Sequence, residues 1–153
     1  LLLTDIAVQR QLLDMVMGED GKLILDSFEA GAPTPSIELS ALVQSSRFRL
    51  MRDWSRFFAD HPVVISPTWG QPAFEHDADL HQTETLMRST LRPVLPANFL
   101  AIPAAIVPCG TADGLPVGVQ VMGDRFTDLR CLAVAQQIQD RVGAPAPIDP
   151  VGA

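Results

Sequence analysis

Asn98-Phe-Leu-Ala-Ile-Pro-Ala-Ala-Ile-Val-Pro-Cys-Gly-Thr-Ala-Asp-Gly-Leu-Pro-Val-Gly-Val-Gln-Val-Met-Gly123 is the stretch whose reading decides the fold. Two β-branched apolar runs stand in it, Ala104 to Val107 and Pro116 to Met122. Between them lies Gly110-Thr-Ala-Asp-Gly114, a turn closed by glycine at both ends. Short apolar runs flanking a Gly-bounded turn predict a hairpin or a tight strand-loop-strand unit.

Working outward, Thr127 is placed to cap a closing helix, with Asp128 favourably in its first turn. Cys131, Val134, Ala135, Ile138 and Val142 would form that helix's apolar face, and Gly143 and Pro145 would stop it. Upstream, Val63-Val64-Ile65 before Ser66-Pro67 reads as a short buried strand, residues 68–82 as a loop, and residues 83–91 as a short helix ended by Pro93. Ser36 is a good N-cap for a long helix reaching Asp60, with Leu39, Val43, Leu50, Trp54 and Phe57 on one stripe. Thr4 or Asp5 can start a first helix running to about Met17. Asp20 to Ala30 reads as a second helix, although Leu23-Ile24-Leu25 also fits a strand. Residues 1–60 are therefore expected to be mainly helical, 61–143 strand-rich with the closing helix, and 144–153 a loose tail.

Composition narrows the function classes. Of 153 residues, 47% are hydrophobic and 19% charged, enough apolar material for one packed domain and too much for a disordered chain. The net charge is −7 and no basic run occurs, which argues against nucleic acid and anionic membrane as partners. The longest apolar run, Phe99 to Cys109, is too short to span a bilayer and is broken by Pro103 and Pro108. The two cysteines, Cys109 and Cys131, have no metal or redox spacing and read as reduced core thiols, which fits a cytoplasmic protein.

Few residues invite chemistry. His76, Asp77, Asp79 and His81 cluster in a polar loop, but the spacing is not that of a helical His pair and no other segment supplies a partner, so no metal and no cofactor is expected. Ser45-Ser46 sits inside a strong helix pattern with no glycine near it, whereas a nucleophile loop needs glycines to turn backbone N–H groups toward an oxyanion. Lys22, the only lysine, reads as a solvated charge. Trp69 and Phe74 follow the strand at 63–65; loops at strand ends commonly wall pockets, and packing beneath a Pro-rich loop explains Trp69 equally and Phe74 better.

The quoted stretch resembles the late block of the amidase signature family: Asn98, a short gap, Pro103-Ala104, a strand ending Val107-Pro-Cys-Gly110, then Gly114-Leu-Pro-Val-Gly-Val-Gln120 and Gly123. Phe126, Asp128 and Leu132 continue it, Pro67-Thr68 is similar to another landmark, and the resemblance spans roughly residues 36–142. Ala101 departs from the pattern, standing where the family carries glycine; a methyl group there crowds a close backbone approach or a positive φ.

The resemblance implies an α/β fold, the C-terminal part of the amidase-signature fold, with a mixed sheet flanked by helices. It implies amide hydrolysis by a Ser–Ser–Lys relay, whose residues match nothing here and belong to an upstream part. By the same resemblance Thr68, Trp69, Asn98, Phe99 and Leu100 would wall the acyl side of a small-molecule amide substrate's pocket. A chain opening on Leu1-Leu-Leu-Thr-Asp reads as a piece of something longer, expected to self-associate or to pair with the missing N-terminal part. The rivals are a non-catalytic scaffold domain of the same fold and a small-molecule binding module built on the Trp69 loop.

Overall fold

The computed structural model describes residues 2–30, 32–81 and 89–143. In chain order these form α1 (Leu2–Val16), α2 (Glu19–Ala30), α3 (Ile37–Asp60), β1 (Val64–Pro67), α4 (Ala78–His81), α5 (Leu95–Leu100), β2 (Ala104–Ala112), β3 (Leu115–Met122) and α6 (Asp128–Val142). The α/β class is as read from the sequence. The expected tail at 144–153 and most of the expected helix at 83–91 lie outside the described residues. Two compact units emerge: one from the chain up to Asp53 with Phe74–Thr90, the other from Trp54–Ala73 with the chain from Leu91 onward.

In the first unit the Asp20–Ala30 segment is helix, not strand, because Glu19 and Asp20 favour a helix N-terminus and Lys22 pairs with Glu19 at 2.8 Å one turn away. Arg10 of α1 holds α2 through Asp26 at 2.8 Å and Glu29 at 3.1 Å, and also binds Asp14 at 2.8 Å. These charged hydrogen bonds keep its guanidinium firmly protonated. Ser36 caps α3 as expected: its Oγ accepts the Leu39 N–H at 3.1 Å. The Glu38 carboxyl is held below its ordinary range by its own backbone N–H and by the Ser36 hydroxyl. Leu25 is buried, but Met15, Val16, Ile37 and Leu42 stay exposed, so this unit leaves much apolar surface uncovered.

The second unit is organised on a three-stranded sheet of order β1-β3-β2, antiparallel at both pairings. The hairpin is present and longer than its sequence signal. Its turn is only Asp113-Gly114, both at positive φ (52° and 80°), the geometry of a type I′ turn. Gly110 is not part of the turn. It sits at φ 136° where the register shifts between Pro108 and Gly110, leaving Cys109 as the extra residue of a bulge. Pro108 has no N–H to give the ladder, and bulges are where strands accommodate proline.

One sheet face carries Ala105, Val107 and Val121, packed against Cys131 and Ala135 of α6, with Val119, Val134 and Ile138 at the margin. Val142, expected on that face, is 51% exposed, since the helix outruns the sheet. Thr127 precedes α6 but does not cap it: its hydroxyl donates to the Asp124 carbonyl at 2.6 Å. β1 is an edge strand with Ile65 54% exposed, not the buried strand expected. In α3 the buried aromatic is Phe58 and not Phe57; the four-residue step from Trp54 keeps Phe58 on the inward face. Phe57 instead lies against the His61 ring, with centroids 4.5 Å apart.

α5, which the sequence reading passed over, ends on Ala101 in the left-handed region (φ 53°, ψ 49°), with the Ala101 N–H returning to Ala97 O. That is the conformation glycine adopts freely and alanine does not. Ala101→Gly is therefore expected to stabilise the chain by about 1 kcal/mol in urea unfolding.

Cys131 is 1% exposed and its thiol pKa is raised, chiefly by burial. It should react with an aromatic disulfide reagent only after unfolding. A raised folded-state value means the native chain holds the proton that the unfolded chain releases. Stability from this group is complete below the ordinary thiol pKa and is lost as pH rises above it. Urea midpoints between neutral and strongly alkaline pH check the sign, with Cys131→Ala as control.

Candidate functional site

The site of interest forms where β1 leaves the sheet. Beyond Pro67 the Thr68 N–H donates to Gly118 O at 3.1 Å, which ties the loop start to the central strand. Gly118 leaves little room there: a Cβ would stand 3.1 Å from Val107 O and 3.4 Å from Thr68 Oγ1. Thr68 Oγ1 is itself buried without a hydrogen-bond partner among the described residues. Trp69, next in sequence, is half-buried.

Gln120 sits one ladder step deeper, 1% exposed in an otherwise apolar strand. Its Nε2 donates to Ser66 Oγ at 3.0 Å, Pro67 O at 3.3 Å and Pro93 O at 2.5 Å. The carboxamide thus joins the end of β1 to the turn that leads into α5. On α5, Asn98 is exposed, Phe99 half-buried and Leu100 2% exposed. Gln120 thus links the carbonyl just before Thr68 to Pro93, five residues before Asn98; Asn98 itself is exposed and Leu100 lies in the core. Gln120 was not singled out from sequence; a polar residue buried amid Val119, Val121 and Met122 is the signal that could have found it.

A second anchor lies after β3. Ser55 Oγ is within hydrogen-bond reach of both Asp124 carboxylate oxygens, at 2.8 and 2.7 Å, and Asp124 Oδ1 also accepts the Arg125 N–H at 2.8 Å. It fixes the end of α3 to the β3–α6 loop.

The remaining candidates belong to the first unit. In the first unit, Asp20, Phe74, His76 and Asp79 border a shallow depression of about 310 Å³. His76 Nδ1 lies 2.9 Å from Asp77 Oδ2 and is 95% exposed. Among the described residues no group of three or more His, Cys, Asp or Glu is arranged to hold a metal ion. Ser45 Oγ donates to Leu42 O at 2.9 Å, turned back on its own helix. The Lys22 pKa is raised, chiefly by its hydrogen bond to Glu19, the opposite of what a proton-accepting lysine needs. No helix among the described residues is long and apolar enough to cross a membrane.

The architecture is thus an α/β unit whose central hairpin carries the Gly-Leu-Pro-Val-Gly-Val-Gln motif and whose sheet end gathers two loops. The chain belongs to the amidase family, whose model matches residues 13–132. It is 32% identical over 120 residues to a glutamyl-tRNA(Gln) amidotransferase subunit of Lactobacillus johnsonii, a match covering 77% of this chain and 24% of that protein. It is 33% identical over 96 residues to the corresponding Geobacillus thermodenitrificans protein, covering 63% of this chain and 20% of that one. The crystal structure of the Thermotoga maritima counterpart superposes with a TM-score of 0.59 at 23% identity, covering 91% of this chain and 30% of that one. The chain spans about a quarter or less of the length of these curated relatives.

Proposed function

We propose that residues 1–153 act as the C-terminal portion of an amide-bond hydrolase of this family, supplying sheet strands and one wall of an acyl pocket. The observation that supports it is the Gln120 carboxamide bonded to Ser66 and Pro67, directly before Thr68 and Trp69, and to Pro93, in the turn before the helix bearing Asn98 and Phe99. Leu100, nearly closed from solvent, anchors that wall from beneath. The attacking serine, the relay serine and the neutral lysine belong in this reading to sequence beyond these residues. Ser45 and Lys22 lack the surroundings such chemistry needs.

The relatives are named as subunits of an amidotransferase acting on glutamyl-tRNA, so an assembly with other chains, and an amide within it, are part of the proposal. With a net charge of −7, this part is not the surface that would hold a nucleic acid. Ile106 on the strand and Leu129 and Leu132 on α6 are exposed apolar side chains of the second unit, available to the rest of the protein or to a second copy.

The purified chain is expected to leave aryl amides intact, while a longer product of the same reading frame hydrolyses them. In that product Trp69→Ala should raise KM by about tenfold with kcat nearly held, as loss of uniform binding requires. Serine-reagent-sensitive turnover by the 153-residue chain alone would overturn the proposal.

A further inference from the structure

The two halves of the proposed pocket wall are far apart in sequence, and one side chain joins their bases. We propose that Gln120 is a positioning residue: its carboxamide clips the loop of Thr68 and Trp69 to the entry of α5, setting the spacing between them. This rests on the pocket reading given above.

A carboxamide buried without partners costs several times what one hydrogen bond returns, and an apolar residue would serve the strand as well. β1 and β3 are already paired through their backbones from Val64 to Pro67. The side chain is therefore not needed to hold the sheet together. What it reaches is oxygen at the places where the chain leaves regular structure. Pro67 O is the last carbonyl of β1 and Pro93 O lies in the turn before α5, at 3.3 and 2.5 Å from Nε2. Ser66 Oγ, 3.0 Å from Nε2, donates in turn to Pro67 O at 3.2 Å, so the β1 end is held twice. Thr68 and Trp69 follow directly on one clipped carbonyl, and Asn98 lies shortly beyond the other in the chain. Gly118 gives the loop start a further hold through the Thr68 N–H.

The test uses the full 153-residue chain carrying Trp54→Phe, so that Trp69 is the sole indole. Gln120→Met keeps length and volume and removes both donors. Amide exchange over residues 94–101 is expected to quicken about tenfold, and Trp69 to become several-fold more open to acrylamide quenching, while β3 and α6 keep their protection. Unchanged exchange and quenching would overturn the proposal. A uniform rise through β3 and α6 would overturn it too, by making Gln120 a general stabiliser. Should the substituted chain not fold, the unsubstituted protein decides: the Gln120 carboxamide protons should be strongly protected from solvent exchange, and exchange at the rate of a free amide refutes the clip. None of these readouts depends on catalysis, so the pocket reading stands or falls separately on the KM of Trp69→Ala in the longer product.

Discussion

Gly123→Ala is expected to lower unfolding stability by about 3 kcal/mol, at the upper end of what inserting a methyl into a filled site costs. Gly123 is buried where β3 ends. A Cβ there would lie 2.5 Å from Thr127 Oγ1 and 2.8 Å from Cys131 Sγ. Neither neighbour can yield easily. Thr127 Oγ1 is fixed by its 2.6 Å bond to Asp124 O, and Cys131 is wedged between α6 and the sheet. Urea unfolding followed by circular dichroism measures the loss. A double substitution with Thr127→Ala should recover a good part of it, because the two changes share one clash and cannot be additive. Equal stability of Gly123→Ala and the unsubstituted chain would mean that α6 does not pack on the sheet as described.

Leu100→Ala is expected to cost about 3 kcal/mol, within the range for emptying a well-packed leucine site. Leu100 is 2% exposed and closes α5 one residue before the left-handed Ala101. The helix is six residues long, too short to hold itself, so it leans on the packing of this buried side chain. Trp69→Ala, by contrast, should leave stability nearly unchanged while weakening ligand binding. The pair separates a residue that supports the proposed wall from one proposed to form it. A small loss for Leu100→Ala with a large one for Trp69→Ala would reverse those roles.

Much of the second unit was legible because its elements announce themselves locally. Gly110-Thr-Ala-Asp-Gly114 between apolar runs marks a hairpin or a tight strand-loop-strand unit, and Asp128 after Thr127 marks a helix start. What was misjudged depends on neighbours. Gly110 looked like the opening of the turn; it serves the bulge that Pro108 makes necessary. Thr127 looked like a cap, but Asp124 O claims its hydroxyl. Phe57 and Phe58 are adjacent, and a periodicity drawn from Leu50 selects one while the step from Trp54 selects the other. α5 is too short to show a helical period and lies among prolines, so only the chain's return through Ala101 reveals it. For the site, Thr68, Trp69, Asn98, Phe99 and Leu100 come from the family resemblance. Gln120 passed as one polar letter in a strand, since its three acceptors come from segments 27 to 54 residues away.

The outer edge of β2 carries no partner among the described residues, and its straight portion is bounded by Pro103 and by Pro108 with its bulge. Between those prolines only Ala104 to Val107 present an uninterrupted row of backbone groups on that edge. Cross-β stacking draws on proline-free segments of about six or seven residues. The prolines therefore act as gatekeepers: they leave a landing strip long enough for a single visiting strand and too short to seed a fibril.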